Sequence, residues 1–330
     1  MMSPAMTFSL ARDCTNDPVR TKAFQAMMKA TPLSYKPSPL QEVNIGYGGV
    51  GIGHKEFTSD GSMSYQAALL YWCIDDPTRF NYANLALRIL REWATTNKVF
   101  KGDNAPLEAA WGICSMARAA ELLRYAKDKS VRDEWAKFQK VFFVWVDVVM
   151  TPPLFNKDVW RWEPKSNWHY SILCARMQLA ILRDNREEFN SVVATYRQVI
   201  HGSICVGHKC HISETKRDLT HAQFQLGGVL QVPEMAYHQG VVDLYDPRLH
   251  QIIEYHARLM LKEVPEGIRK EDIKTPYGYW HEPVWELGLA HFNGRLKLPM
   301  PHTESNSVHF RPERVTFHWG GGTLTHYKRI

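Results

Sequence analysis

Apolar residues recur at three- and four-residue intervals through most of the chain, and this pattern predicts helices over 63–73, 80–95, 107–125, 131–150, 167–183, 186–200, 214–239, 247–262 and 283–295. The connections are short and punctuated. Asp75-Asp76-Pro77, Thr151-Pro152-Pro153 and Asp184-Asn185 separate helix pairs in the manner of antiparallel hairpins. Pro164 disfavours helix at the residue before it and Ser166 or Asn167 offers a capping oxygen, so one helix is expected to begin near Asn167. Pro233 should kink or divide the 214–239 helix, which the Gln239-Gly240 step ends. Alternation suited to a strand is confined to the tail, 308–327. The glycine-rich run Gly46 to Gly53 has no strong strand before it and no prompt helix after it, so it reads as a loop lining or crossing a cleft rather than a phosphate-binding turn.

So many helices of similar length, paired by short turns, leave a solenoid of helical repeats or a toroid of helical hairpins. No repeat of fixed period is present, which disfavours the solenoid. The expected fold is therefore all-α, an incomplete α/α toroid in one domain spanning 1–330. Residues 1–60 form an N-terminal arm with the glycine-rich loop, and 302–330 a short irregular or β tail. A toroid gathers the helix mouths of one face around a common cleft.

Composition bounds the function. The 330 residues are 45% hydrophobic and 22% charged, ordinary values for a globular protein with a large core. A net charge of +6 permits an anionic partner, but no Lys/Arg block or motif suits nucleic acid. No apolar run approaches a membrane span, and no signal peptide is legible at the N-terminus. Six scattered cysteines make no disulfide framework. Cys205 and Cys210, with His208 and His211, allow a small disulfide loop or a metal site, but no second pair at ligand spacing completes a tetrahedral shell, and neither a metal nor a cofactor is expected.

Two clusters carry candidate chemistry. On a helix, Glu214, Arg217 and His221 fall at i, i+3 and i+7 and share a stripe, with Asp218 beside it. Alone, such a stripe is equally an exposed ion-pair run worth about 0.3–0.5 kcal/mol per pair. The second cluster raises its standing. Trp160, Trp162 and Trp168 lie within nine positions of one another, and flat indole faces suit sugar rings, although a tryptophan-rich core is the alternative. Asn167 and His169 would sit in the first turn of the helix that follows; the plain readings are a helix cap and a satisfied histidine.

These segments resemble the alginate-lyase superfamily, which includes alginate lyases and glucuronan lyases. The resemblance rests on residues 214–245, the SNWHYSILCARMQLAI stretch from Ser166, Asn104 to Trp111, and Trp280 to Phe292, and extends from about Asp60 to Pro301. It implies an α/α toroid that cleaves a uronate-containing polysaccharide by β-elimination, with an anionic polysaccharide or oligosaccharide as partner. It implies secretion too, and leaves the oligomeric state open. Elimination needs the uronate carboxylate neutralised so that charge can build into an enediolate, a base at C5, and an acid at the departing O4.

Carried over, Asn167 would bind the carboxylate, Arg217 would position it or stabilise the enediolate, and His169 would serve as base or second neutraliser. In such lyases a tyrosine follows the arginine by seven residues, and here that position is Phe224. The phenol's work then falls to His221, or to a tyrosine from elsewhere, with Tyr170 and the 277–281 loop as sources and Tyr279 the one assigned; Tyr170, Tyr277, Trp280 and His281 join Glu214 and the three tryptophans in substrate binding. Two other classes stay open: a carbohydrate-binding or diverged toroid without lyase activity, and a toroid glycoside hydrolase recruiting Glu163, Glu214 or Asp218.

Overall fold

The computed structural model describes residues 2, 4–155, 166–204, 212–265, 269–279 and 281–328. Its principal helices are α1 (Pro4–Asn16), α2 (Pro18–Ala30), α3 (His54–Cys73), α4 (Arg79–Thr96), α5 (Ala105–Arg124), α6 (Lys129–Trp145), α7 (Asn167–Leu182), α8 (Arg186–Ser203), α9 (Leu219–His238), α10 (Leu249–Met260) and α11 (Pro301–Phe310). Each packs on its neighbours in hairpin fashion. α3 lies against α4 and α5, α5 against α7, and α7 against α8 and α9, which makes the all-α, incomplete α/α toroid expected of the pattern.

The crossings are close where side chains vanish. A Cβ on Gly61 of α3 would lie 2.9 Å from the Gly112 carbonyl of α5, and one on Gly228 of α9 would lie 2.4 Å from the Tyr170 Cβ of α7. Glycine at these points lets the backbones approach. One connected apolar core results, running from Leu10 to Leu324 with Trp93, Trp135, Trp285 and Trp319 fully enclosed.

Several local expectations are corrected. α1 and α2 occupy the region read as an arm, and Asp17 caps α2 by accepting from the Val19 and Arg20 amides. α3 begins at His54, nine residues before the periodic run. The glycine-rich segment is a turn between two short strands, β1 (Glu42–Ile45) and β2 (Gly51–Ile52), and β1 also pairs in parallel with β3 (Val99–Lys101). The tail holds no strand among its described residues. It crosses the molecule irregularly and ends in a helical turn at Gly322–Thr325. There the Tyr327 carbonyl accepts a hydrogen bond from the buried Arg20 guanidinium of α2.

The segment 214–239 is not one helix. A 3-10 turn, Ser213–Lys216, is followed by Asp218 in extended conformation (φ −173°, ψ 168°), and α9 starts after it. Pro233, by contrast, does not divide α9. A proline cannot donate to the carbonyl four residues back, and that carbonyl, on Val229, accepts instead from the Tyr196 hydroxyl at 2.8 Å. Tyr196→Phe should therefore cost about 1–3 kcal/mol, the penalty of a stranded buried carbonyl. An unchanged denaturation midpoint would refute this account of the helix.

Candidate active site

A cleft of about 1160 Å³ gathers the mouths of α3, α5, α7 and α9 with the turn between β1 and β2. From α7, the approach to α9 and α9 itself come Trp168, Glu214, Arg217, His221 and Phe224. From α3 and α5 come His54, Asn104, Glu108 and Trp111. Tyr47, Gly48, Gly49 and Tyr277 also line it.

The break before α9 builds the charged part. Asp218 leaves the helical path, so its carboxylate folds back over the first turn: Oδ1 accepts the His221 amide at 2.9 Å, and Oδ2 accepts His221 Nδ1–H at 2.7 Å. Binding Nδ1–H fixes the tautomer of a neutral ring and leaves Nε2 with the lone pair. Glu214 is held from the other side. Its Oε1 accepts both the Asn167 amide at 3.0 Å and Asn167 Nδ2–H at 2.7 Å. Arg217 lies between these carboxylates at 3.8 Å from Glu214 and 4.0 Å from Asp218, with its side chain 53% exposed. Such long, exposed contacts hold the guanidinium loosely enough for another anion to compete.

An aromatic platform adjoins it. The Trp111 ring lies 4.4 Å from Phe317 and 5.7 Å from Phe224, and Phe224 stacks on His318 at 4.8 Å with 22° between planes. Burial pushes His318 down to about 3, so its ring is neutral and serves as one more flat face. Trp111 Nε1–H donates to Ser171 Oγ at 3.1 Å, which fixes the indole.

A second carboxylate-backed histidine faces the cleft. Glu108, 1% exposed, accepts His54 Nδ1–H at 2.7 Å on one oxygen and Asn104 Nδ2–H at 3.0 Å on the other. The hydrogen bond to Glu108 raises His54 above the ordinary imidazole value, against the opposing effect of partial burial. Sequence reasoning named Asn104 and Glu108 only within a resembling segment, and missed His54. The available signal was Glu108 itself, since a carboxylate set between Ala-Pro-Leu and Ala-Ala-Trp must find a partner.

The expected site residues divide. Arg217, His221, Glu214, Trp168 and Tyr277 line the cleft. Asn167 and His169 do not, being 0% and 3% exposed, and the residue between them, Trp168, is the one at the cleft surface. Asn167 acts as the brace of Glu214. Tyr170 is a core residue, not a sugar contact: it is fully buried, its hydroxyl donates to Ser203 Oγ at 2.7 Å, and burial raises its pKa. Tyr279 packs partly against the core beneath Lys262 Nζ, 5.0 Å from its ring centre. His281 stacks on Phe310 at 3.9 Å, and burial pushes it down to about 3. Neither lines the described cleft. Trp160, Trp162 and Trp280, with Glu163, Cys205, His208, Cys210 and His211, lie outside the described residues.

Away from the cleft, Glu234, His238 and His326 bring three ligand-type atoms within 4.8 Å of one another. Arg295 already grips both Glu234 oxygens, at 2.6 and 2.7 Å, and Tyr245 donates to one of them at 2.7 Å. A guanidinium on both oxygens makes this the centre of a buried ion pair rather than a cation site.

Comparison with known proteins agrees with this architecture. No curated protein matches the chain. Among solved structures, alginate lyase A1-III from Sphingomonas species A1 superposes with a TM-score of 0.68 at 18% identity, over 98% of this chain and 94% of that one. A Tyr-to-Phe variant of alginate lyase A1-III, complexed with a tetrasaccharide, gives 0.66 at 18% identity over 99% and 94%. A His-to-Ala variant in its apo form gives 0.64 at 18% identity over 98% and 93%. At that identity these likenesses establish the shared fold. The alginate lyase family model matches residues 54–265, more than half of the sequence, and takes in α3 to α10 with most of the cleft, so the chain belongs to the alginate lyase family of polysaccharide lyases.

Proposed function

We propose that the cleft performs β-elimination on a uronate within an anionic polysaccharide or oligosaccharide. The carrying observation is that Arg217 and the Asp218-held His221 line the same cleft beside an aromatic platform. Arg217 binds the uronate carboxylate and gains strength as charge moves into it. His221, its Nδ1–H committed to Asp218, uses Nε2 to take the C5 proton. Trp111, Trp168 and Phe224 hold the sugar faces. The Asn167–Glu214 pair steadies the turn that carries Arg217, so Asn167 works through Glu214 and Arg217 rather than by touching the substrate.

A histidine base in the cleft displaces His169 from that role, since a buried imidazole has no path to C5. Hydrolysis finds less support. Of the described candidates, Glu214 and Asp218 are both buried and committed, to Asn167 and His221, so neither is offered as the acid or base of a hydrolase.

Incubation with polyglucuronate, alginate and glycosaminoglycans should release a product with the ultraviolet absorbance of a conjugated unsaturated uronate. Reducing ends without that chromophore would indicate hydrolysis, and no reaction with any of them would end the lyase reading. His221→Ala is expected to lower kcat about a hundredfold with little change in KM. A loss confined to KM would assign His221 to binding.

A further inference from the structure

We infer that His54 is the acid of the reaction, protonating the departing glycosidic oxygen from its Nε2. This deepens the elimination reading and rests on it. Three observations converge. The tyrosine position of the family is Phe224, which has no proton to give, yet alkoxide departure from C4 requires one. His54 lines the same cleft as Arg217 and His221, with its side chain 38% exposed. Its Nδ1 is fixed on the buried Glu108, itself fixed by Asn104, and its Nε2 has no hydrogen-bond partner among the described residues.

The two histidines divide the work. The C5–H bond breaks and its proton goes to His221 Nε2, while the electron pair enters the carboxylate as the enediolate that Arg217 holds. The C4–C5 double bond then forms as the C4–O4 bond breaks, and O4 takes the proton from His54 Nε2, becoming the hydroxyl of the new reducing end. One histidine ends protonated and the other neutral, and exchange with cleft water resets both. The Glu108 anion beside His54 keeps its imidazolium into higher pH. The charges acting on it are Glu108 from α5 and Glu56 on its own helix, and Asp103 and Tyr47 line the same cleft.

A leaving group that needs no proton separates this role from binding. The probe pair is polyglucuronate and a glucuronide bearing para-nitrophenoxide at C4, both tested with the full-length protein. His54→Ala should lose about a hundredfold in kcat on the polymer and much less on the nitrophenyl ether, whereas His221→Ala should lose on both. Glu108→Gln should shift the alkaline limb of the polymer pH profile to lower pH, because the imidazolium loses its anion. Equal losses on both substrates in His54→Ala, or an unmoved limb in Glu108→Gln, would overturn the assignment while leaving the lyase reading intact. A wild-type protein that turns over neither the nitrophenyl ether nor any of the three uronate polymers would remove both.

Discussion

Arg217→Ala is expected to lower kcat/KM on a uronate polymer about a thousandfold, roughly 4 kcal/mol of transition-state stabilisation. Most of that loss should fall on kcat. A carboxylate in the ground state is already charged and well solvated, and the guanidinium gains its advantage only as a second unit of charge enters the same group to form the enediolate. The fold should be little affected. Arg217 is half exposed and makes only long contacts with Glu214 and Asp218, so its removal leaves no buried group unpaired. Arg217→Lys should recover part of the rate, since a point charge replaces the two-pronged donor without its geometry. If the alanine variant retained kcat and lost only affinity, Arg217 would be a docking residue and the charge would have to be stabilised elsewhere.

Glu234→Gln is expected to destabilise the protein by about 3–5 kcal/mol without touching the cleft. The variant keeps the shape of the side chain but strands the Arg295 guanidinium, which is 10% exposed and bound to both Glu234 oxygens. Burial alone would raise Glu234, yet hydrogen bonds from Arg295, His238 and His326 outweigh it and hold the carboxyl well below its usual range. Burial itself pushes His326 down to about 4, so at neutral pH that ring acts as an uncharged neighbour and Arg295 supplies the charge. The sign follows from the depressed carboxyl. Its contribution is complete above the unfolded carboxylate value and is lost as pH falls through the folded one. Urea midpoints of wild type and variant should differ most near neutrality and converge in acid. A constant gap across that range would show that packing, not charge, is what the substitution removes.

Helix identity was legible because amphipathic spacing marks it directly: α4, α6, α8 and α10 stand close to where their apolar stripes put them, and α7 begins at Asn167 as the proline before it requires. α1 and α2 were passed over although Asp17-Pro18 is a cap signal. Asp218 misled in the opposite sense. Placed inside a periodic run it looked like one more polar position, whereas its side chain ends one segment and starts another, and that break gives His221 its partner. The first half of the candidate site, the residues around Arg217 and His221, was therefore visible in local spacing. The second half was not, because His54 and Glu108 are fifty-four positions apart and meet only through the crossing of α3 on α5. No local pattern records such a meeting.

The contact between Arg20 and the Tyr327 carbonyl joins positions 307 residues apart. Closing so long a loop is entropically expensive, and the contact can form only after the whole span between the two residues has been synthesised. The ring stays open until then, with α2 waiting for the helical turn at Gly322–Thr325. A stop before Tyr327 would leave every described group of the cleft in place, yet it would remove the latch. Such a truncated protein should be catalytically intact when cold and short-lived when warm.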